Sequence, residues 1–515
     1  MQQRVLTINV PVTMPWALPY GPAVISGILT SAGFEAETWD LNIDLFQDFN
    51  QEKEWPVFSN LIAIRGYTNE TVSRRFIRRI LSWTRQKSRQ RIERFKPDVI
   101  ALSVFSSQSL DFVIPLSTIL RKLAPNAYII IGGRGLDNDE RTSGVSYAEY
   151  YQRYLNVDAV YQGDAENLLL ETIKNRQLGL VIAPPVSREE LLDIPPANWS
   201  GYNFNQYQGY EQGDLRVPIT ASKGCVRDCT FCDVSGSWPK YVFRTGASVG
   251  QEMVDLYKTT SMNKFEFTDN LVNGSISNFR AMNNVIANQA PNQLDYIGYA
   301  ICRTRREMPE SDFELAKVAG ASRFKVGIES GSESIRFDMK KKFSNDDINW
   351  FAVNSHKYGI QQIWLMFVGY PSETEQDFQD TMRLLEEHKT LAKNGMIQVF
   401  LSLPMMLTSG SAFMRNYAID YGLEHNRTDK WSDFFWTSTK HQENTFDVRV
   451  DRWRRFMNKI QDCGYADSGI RQTEKFLELE GLEKIYQDYQ RSLTNGKKII
   501  PITDIGFNIN KSTHI

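Results

Sequence analysis

Cysteine and histidine are scarce in this sequence, and long apolar runs are absent. Only five residues of each type occur among 515, and no histidine precedes His356. So few cysteines exclude a disulfide-stapled secreted scaffold. No apolar run approaches the ~18 residues of a membrane helix. Prolines and Asn9 interrupt the apolar N-terminus, so it does not read as a signal peptide. These absences predict a cytoplasmic protein with reduced thiols and no membrane span.

An excess of charge is also missing. The 59 basic and 61 acidic residues leave a net charge of −2, which excludes a polycation built for nucleic acid. Basic side chains are nevertheless concentrated in residues 74–94, which carry a helical pattern. Such a helix could bind nucleic acid or another anionic surface. The more common explanation is the solvated face of a long surface helix, and we do not expect nucleic acid as a partner.

The distribution of apolar residues divides the chain into four segments. Residues 1–175 alternate strand and helix patterns, and the apolar run at 98–104 is typical of a parallel strand buried on both faces. Proline-rich residues 176–215 predict a linker. Residues 216–425 repeat the alternation, and residues 426–515 predict a mainly helical C-terminal region on the substrate side.

The fold class follows from this order. Strands separated by helices imply right-handed βαβ units and a parallel sheet. We therefore predict an α/β chain with an N-terminal Rossmann-like parallel sheet, then a partial (βα)6 TIM-type barrel, then the helical region. The six candidate barrel strands are residues 217–222, 264–268, 296–301, 323–328, 362–368 and 398–403.

Three of the five cysteines lie together, as Cys225-x3-Cys229-x2-Cys232, directly after a candidate strand. Clustered thiolates are soft ligands suited to zinc or to an iron–sulfur cluster. Structural zinc requires four protein ligands, so Cys302, Cys463 or a carboxylate would have to complete such a site. A [4Fe-4S] cluster with one iron left open for a substrate needs only three thiolates. The sequence therefore favours the cluster and keeps zinc as the alternative.

This cysteine spacing, with Phe231 before the third cysteine, resembles the hallmark of radical S-adenosylmethionine (radical SAM) enzymes. Several weaker segments follow in the order expected for members with an N-terminal cobalamin-binding domain, and together they cover about residues 1–425. The cobalamin-domain segments are residues 98–103, 130–133 and 163–166, and the barrel segments are residues 327–333 and 368–374. The chain is thus similar to cobalamin-dependent radical SAM enzymes.

The resemblance implies a role for each matching residue. Cys225, Cys229 and Cys232 would hold the [4Fe-4S] cluster, whose open iron binds the amino and carboxylate groups of SAM. The implied SAM contacts are Phe231 at adenine, Asp269 at the methionine amino group, Arg303 and Glu329 at the carboxylate and ribose, and Gly369 and Pro371 beside adenine. The implied cobalamin contacts are Ser103, Gly132 and Gly133. The resemblance identifies no further catalytic residue.

Simpler explanations exist for several of these residues. Asp269 could be a turn or cap residue, and Glu329 could cap the following helix. Arg303 lies close to Arg305 and Arg306, so its register is open. The N-terminal sheet could be a platform that binds no cobalamin. A histidine ligand to cobalt from that domain is excluded, because no histidine precedes His356.

The implied activity is reductive cleavage of SAM, after which the 5′-deoxyadenosyl radical removes a hydrogen atom from the substrate. Cobalamin would then support C-methylation or cyclisation of an unidentified small molecule or peptide. An electron donor such as flavodoxin or ferredoxin is the implied partner. The alternatives are a radical SAM enzyme without cobalamin and a metal-stabilised nucleic-acid-binding protein.

Two remaining sets of residues are ambiguous. No cysteine precedes Cys225, which argues against the additional N-terminal iron–sulfur cluster that methylthiotransferases carry. The two isolated cysteines, Cys302 and Cys463, are most simply buried small apolar residues. The aromatic residues Trp431, Phe435 and Trp436 could line a substrate pocket, although interdomain core is the commoner role.

Overall fold

The computed structural model describes residues 3–63, 72–106, 109–136, 148, 152–153, 155–407, 412–424 and 435–467. The chain forms two compact units. The first contains Met1–Ile219 with Val242–Arg244, and the second contains Thr220–Tyr241 with Thr245–Ile515. In the described part of the chain, no helix is long and apolar enough to cross a membrane.

The first unit is built on a parallel six-stranded sheet. Its strands are β1 (Arg4–Asn9), β2 (Glu35–Asp40), β3 (Val99–Ser103), β4 (Tyr128–Gly132), β5 (Ala159–Gln162) and β6 (Gly179–Ile182), in the order β2-β1-β3-β4-β5-β6. Most residues of β1, β3 and β4 are buried, as expected for strands covered on both faces. The chain leaves β1 toward β2 on one side and returns to β3 on the other. This reversal is the topological switch point, where open α/β sheets bind their ligands.

Helices cover this sheet. They are α1 (Tyr20–Ser31), α2 (Leu41–Phe49), α3 (Trp55–Ala63), α4 (Arg74–Phe95), α5 (Leu110–Leu123), α6 (Ala165–Asn175) and α7 (Arg188–Leu192). The predicted Rossmann-like sheet is confirmed. The predicted linker, residues 176–215, contributes β6 and Tyr207, whose hydroxyl donates to Asp40 Oδ2 at 2.5 Å. The limits of the four predicted segments stay predictions.

The basic helix α4 turns much of its charge toward its own unit. Arg79 pairs with Glu52, Lys87 with Asp48, and Arg91 and Arg94 both pair with Glu37. Its buried side is formed by Phe76, Ile80, Thr84, Ser88 and Ile92. A helix that neutralises the acidic side chains of its own unit fits the solvated-face explanation better than a nucleic-acid contact.

The second unit carries a second parallel sheet. Its strands follow the order β17-β14-β13-β12-β11-β10. They are β10 (Lys264–Phe267), β11 (Asp295–Ala300), β12 (Ala321–Glu329), β13 (Gln361–Met366), β14 (Ile397–Leu401) and β17 (Ala466–Asp467). The first predicted barrel strand is observed as β7 (Val217–Ile219), which belongs to the first unit, and β8 (Ser222–Lys223), which belongs to the second. Of the remaining short strands, β9 (Val242–Phe243) belongs to the first unit, and β15 (Leu423–Glu424) and β16 (Thr437–Ser438) belong to the second. The predicted partial barrel is confirmed.

The helices of the second unit alternate with these strands. They are α8 (Val234–Ser237), α9 (Gly246–Thr260), α10 (Ile276–Gln289), α11 (Glu310–Val318), α12 (Glu333–Asp338), α13 (Asn345–Lys357), α14 (Glu375–Glu387), α15 (Lys389–Lys393), α16 (Ala412–Asn416) and α17 (Phe446–Cys463). Aromatic contacts such as Phe279–Phe324 and Phe313–Phe351 join helices to the outer face of the sheet or to one another. This apolar layer fixes the direction in which each strand end points.

The C-terminal region contains α17 and a buried aromatic pair. Trp436 is fully buried, donates its indole N–H to Met405 O at 2.9 Å, and lies under the Arg449 guanidinium at 3.8 Å. Phe435 packs edge-on against Phe446. Both aromatics therefore belong to the core. Trp431 and the predicted helix beyond residue 467 lie outside the described residues.

Candidate active site

The three clustered cysteines occupy a loop directly after β8. All three are partly buried. The loop is tight, because Cys232 N donates to Cys229 O at 3.1 Å and Arg227 N donates to Cys225 Sγ at 3.4 Å. Burial, together with the neighbouring thiols of Cys232 and Cys225, raises the pKa of the Cys229 thiol to about 11. Three thiolates in one loop repel each other, so a cation is needed to hold them in that form.

A lysine that the sequence analysis did not select faces these thiols. Lys341 is 8% exposed, and its Nζ donates to Glu329 Oε1 at 2.7 Å and to Gly327 O at 2.9 Å. The same ammonium lies 5.7 Å from the centre of the Phe231 ring. Its positive charge lowers the pKa of the Cys229 thiol. Lys341 and Glu329 thus place a buried cation and anion beside the cysteine loop.

Backbone strain is concentrated around this pair. Glu329, Lys340 and Lys342 all have positive φ, at 67°, 61° and 56°. Left-handed backbone is unfavourable for residues with a Cβ, and such strain is commonly held at functional sites. The turn that carries Lys341 is therefore strained at the residue before it, Lys340, and at the residue after it, Lys342.

Asp269 is buried just after β10, where its carboxylate accepts hydrogen bonds from Ala221 and Ser222. Oδ2 accepts from Ala221 N at 2.9 Å and Oδ1 from Ser222 Oγ at 2.5 Å. Burial raises the Asp269 pKa to about 7, against the effect of these bonds. The carboxylate therefore fixes the segment that leads into the cysteine loop. Its predicted contact with the methionine amino group stays a prediction.

Arg303, after β11, is largely buried and holds the loop that follows β10. Its Nη2 donates to Asn273 O at 3.0 Å and to Gly274 O at 2.5 Å, and its Nη1 pairs with Glu307 at 3.3 Å. The Nε atom is buried and has no partner in the described part of the chain. An unpaired buried donor is costly, so this N–H is available to an acceptor on a bound ligand.

The remaining barrel residues lie on the loop after β13. Gly369 N donates to Glu373 Oε2 at 2.9 Å, and Asn444 donates to Pro371 O at 3.2 Å. Glu373 pairs in turn with Arg452, and both side chains are almost completely buried. Phe231 packs edge-on against Phe367 at 5.3 Å. The loop predicted to lie beside adenine is thus held firmly by α17.

The alternative of a zinc site can be weighed against this geometry. Among the described residues, no group of three or more His, Cys, Asp or Glu side chains is arranged to hold a single metal ion. A four-iron cluster differs, because each thiolate binds a separate iron and the sulfurs lie further apart than around one ion. Cys302 and Cys463 are both buried. The cysteine loop supplies the three thiolates that a [4Fe-4S] cluster with one open iron requires.

The first unit carries an apolar surface at its switch point. Met14 and Trp16, in the loop after β1, are 52% and 57% exposed, and Phe105, after β3, is 66% exposed. The predicted residues Ser103, Gly132 and Gly133 lie at the ends of β3 and β4. At Gly133, φ is +114° and a Cβ would come within 2.4 Å of Val104 O. Only glycine allows the two loops to approach this closely.

Comparison with known proteins is consistent with the cysteine loop and the barrel. The radical SAM superfamily model matches residues 219–385. This part of the chain is similar to radical SAM domains. A radical SAM domain implies a [4Fe-4S] cluster and SAM as cofactors, and the matched residues contain every predicted cluster and SAM residue.

Two curated relatives match about half of this chain. A cytidylyl-2-hydroxyethylphosphonate methyltransferase of Streptomyces wedmorensis is 23% identical over 305 residues, which is 49% of this chain and 53% of the relative. An anaerobic magnesium-protoporphyrin IX monomethyl ester cyclase of Synechocystis is 23% identical over 301 residues, 54% of this chain and 57% of the relative. The chain thus spans little more than half the length of these two relatives.

A solved structure shares the fold over most of the chain. It is TsrM of Kitasatospora setae, a radical SAM methyltransferase determined with cobalamin and a [4Fe-4S] cluster bound. The match covers 83% of this chain and 81% of TsrM, with a TM-score of 0.56 and 17% identity. At this identity the likeness establishes the fold.

Proposed function

We propose that this chain is a cobalamin-dependent radical SAM enzyme that methylates a carbon atom of its substrate. The observation that carries the proposal is the apolar surface at the switch point of the first unit, in a chain whose barrel is similar to radical SAM domains. TsrM and the Streptomyces relative, both methyltransferases, support the reaction class. The substrate would be a small molecule or peptide, and the electron donor a flavodoxin or ferredoxin.

The residues of the second unit divide the work of holding the cluster and SAM. Cys225, Cys229 and Cys232 would bind the cluster. The cluster, when bound with SAM on its open iron, supplies the electron that cleaves SAM. The methionine end of SAM carries both an ammonium and a carboxylate, so it requires an anion and a cation nearby. Glu329 and Lys341 provide that pair beside the cysteine loop.

Other residues complete this binding site. The free Nε of Arg303 offers one more donor to the carboxylate or ribose, and Asp269 orients Ser222 at the entry to the cysteine loop. Gly369 and Pro371 form the wall assigned to adenine. These residues bind and orient SAM, so the barrel controls which hydrogen atom of the substrate the radical reaches.

The surface of the first unit supports cobalamin binding. A corrin ring is large and partly apolar, and exposed apolar patches on soluble units commonly mark ligand sites. Met14, Trp16 and Phe105 flank the switch point, where the sheet topology places ligands. Since no histidine precedes His356, the lower face of the cobalt would not receive imidazole from this unit.

Retention of cobalamin tests this part of the proposal. The chain would be reconstituted without oxygen in the presence of hydroxocobalamin and desalted, and bound cobalamin measured by its visible absorbance. We expect stoichiometric retention by wild type and a clear loss in the Trp16→Ser, Phe105→Ser double variant. Ile419→Ser is the matched control, because Ile419 is 89% exposed but lies in the second unit. Failure of wild type to retain cobalamin would favour the cobalamin-free alternative.

Formation of 5′-deoxyadenosine tests the radical chemistry separately. Reconstituted protein would be given SAM and a strong reductant, and the product measured by mass spectrometry, with Cys225→Ala alongside. We expect product from wild type only. Transfer of labelled methyl groups from SAM to candidate acceptors would then test methylation. If wild type with full iron content formed no product, the SAM site assigned here would be wrong.

A further inference from the structure

A tyrosine of the segment after the barrel is connected by hydrogen bonds to the cysteine loop. The Tyr421 hydroxyl donates to Asp338 Oδ1 at 2.5 Å and lies 2.9 Å from the Tyr370 hydroxyl. Tyr370 lies in turn 2.9 Å from Thr230 Oγ1. Thr230 stands between Cys229 and Phe231 in the sequence. The chain of bonds therefore ends inside the cysteine loop.

The direction of these bonds follows from proton counting. A tyrosine hydroxyl has one proton, and that of Tyr421 goes to the Asp338 carboxylate. Tyr370 must therefore donate to Tyr421, and Thr230 must donate to Tyr370. Each hydroxyl therefore donates away from the cysteine loop and toward the Asp338 carboxylate. If one hydroxyl is removed, the hydroxyl before it in the series loses its acceptor and its orientation is no longer fixed.

A second tyrosine of the same segment holds the turn that presents Lys341. Lys340 Nζ donates to the Tyr417 hydroxyl at 2.7 Å and lies 4.8 Å from the centre of its ring. Lys340 adopts the left-handed backbone described above and directly precedes Lys341. This contact helps to keep Lys340 in its strained conformation and so helps to hold the neighbouring Lys341 in place.

The tyrosines of both contacts lie in or against one apolar cluster. Tyr370, Phe413 and Trp436 are fully buried, and Phe231, Tyr417 and Tyr421 pack against the cluster they form. Phe413 lies 4.9 Å from Tyr421 between ring centres. Hydrogen bonds in such surroundings are stronger than in water, and an unmade one is costly. The contacts are therefore suited to fixing positions.

We propose that Tyr417, Tyr421 and Tyr370, here called the tyrosine clamp, are positioning residues that hold the cysteine loop and the Lys341 turn in the geometry required for the cluster and SAM. Tyr421 acts on the cysteine loop through Tyr370, and Tyr417 acts on the turn through Lys340. Tyr417 and Tyr421 both lie in residues 413–424. The proposal rests on the ligand roles assigned above to the cysteines and to Lys341.

Two variants separate the arms of the clamp. Tyr421→Phe removes the acceptor of the Tyr370 hydroxyl, which in turn bonds to Thr230, and Tyr417→Phe removes the acceptor of Lys340, while both variants keep their rings. The matched control is Tyr296→Phe, because the buried Tyr296 hydroxyl donates to Asn283 at 2.8 Å on the helix-covered side of the same unit. All proteins would be reconstituted identically and compared with wild type.

Three readouts are used that do not depend on turnover. They are iron per chain after desalting, the half-life of the cluster absorbance in air, and the affinity for SAM with the cluster oxidised, a state that does not cleave SAM. Thermal unfolding is recorded for each variant. We expect Tyr421→Phe to shorten the cluster half-life about threefold or more. We expect Tyr417→Phe to weaken SAM binding about three- to tenfold at normal iron content, an effect of the size of one hydrogen bond.

The control decides between positioning and general stability. Tyr296→Phe should lower the unfolding temperature by a similar amount but leave iron content, cluster half-life and SAM affinity at wild-type values. If either clamp variant does not fold, Lys340→Met and Asp338→Leu remove the same contacts from their outer ends. If Tyr421→Phe and Tyr417→Phe both kept wild-type iron content, cluster half-life and SAM affinity, the clamp proposal would be wrong and the proposed function would stand. A wild-type chain that takes up no iron would overturn the proposed function and the clamp with it.

Discussion

Replacement of Lys341 by methionine is the most direct test of the proposed SAM site. Methionine keeps the length and apolar stem of lysine but removes its charge. In the native structure the ammonium lies 2.7 Å from Glu329, with side chains only 9% and 14% exposed. At an effective dielectric constant of 20 their attraction is about 6 kcal/mol before desolvation is subtracted. Loss of one partner from a buried pair typically costs about 3 kcal/mol or more of folding free energy.

The effect on SAM is separate from this loss of stability. A hydrogen bond between a lysine and a carboxylate contributes about 1.5–3 kcal/mol, so Lys341→Met should weaken SAM binding about 10- to 100-fold. The affinity would be measured with the cluster oxidised, and folding by denaturant titration of the same sample. Iron content should change little, since lysine is not a ligand in this assignment.

A matched lysine provides the control. Lys325 lies on β12 and pairs with Glu266 at 2.6 Å, but the two side chains are 22% and 41% exposed. Lys325→Met should cost less than about 1 kcal/mol and leave SAM affinity unchanged. If Lys341→Met bound SAM as tightly as Lys325→Met does, our assignment of Lys341 would be refuted.

Three further predictions concern stability. Burial raises the Asp269 pKa to about 7, so the stability that Asp269 contributes is full below about pH 4 and falls as pH rises through 7. The stability difference between wild type and Asp269→Asn should therefore change across this range in denaturant titrations, and a constant difference would contradict it. Glu373→Gln should cost about 3 kcal/mol by breaking the buried pair with Arg452; a calorimetric loss below 1 kcal/mol would contradict burial of that pair. Gly133→Ala should destabilise the first unit more than Gly33→Ala, because only at Gly133 would a Cβ collide with backbone; equal unfolding temperatures would show that the loops can separate.

Much of the architecture was predictable because its signals are local. The apolar runs of β3 and β4 are long enough to be recognised as strands buried on both faces. The cysteine spacing is contained in eight consecutive residues. β6 was missed because it is a four-residue edge strand followed by prolines, and its end residue Ile182 is 66% exposed. An exposed edge strand has a weak apolar pattern.

The chemistry around the cysteines was less predictable because it depends on tertiary contacts. Lys341 stands in a run of three lysines, residues 340–342, and no pattern in the sequence indicates which of them points inward. The structure selects the middle one through left-handed backbone on both sides. Asp269 is at the predicted place, yet its oxygens face Ala221 and Ser222. Nothing local in the sequence fixes the direction of a carboxylate after a strand.

The strained turn around Lys341 has a consequence for anyone who wishes to engineer this protein. Glycine at position 342 would adopt the observed backbone without a steric penalty, and the substitution should relieve on the order of 1 kcal/mol of strain. At position 340 glycine would also lose the hydrogen bond to Tyr417, so a stability screen would favour the change at 342 alone. That change would let the turn sample other conformations, so that variants selected for higher melting temperature would be expected to hold SAM less tightly. Selection for stability and selection for activity should thus choose opposite residues at position 342.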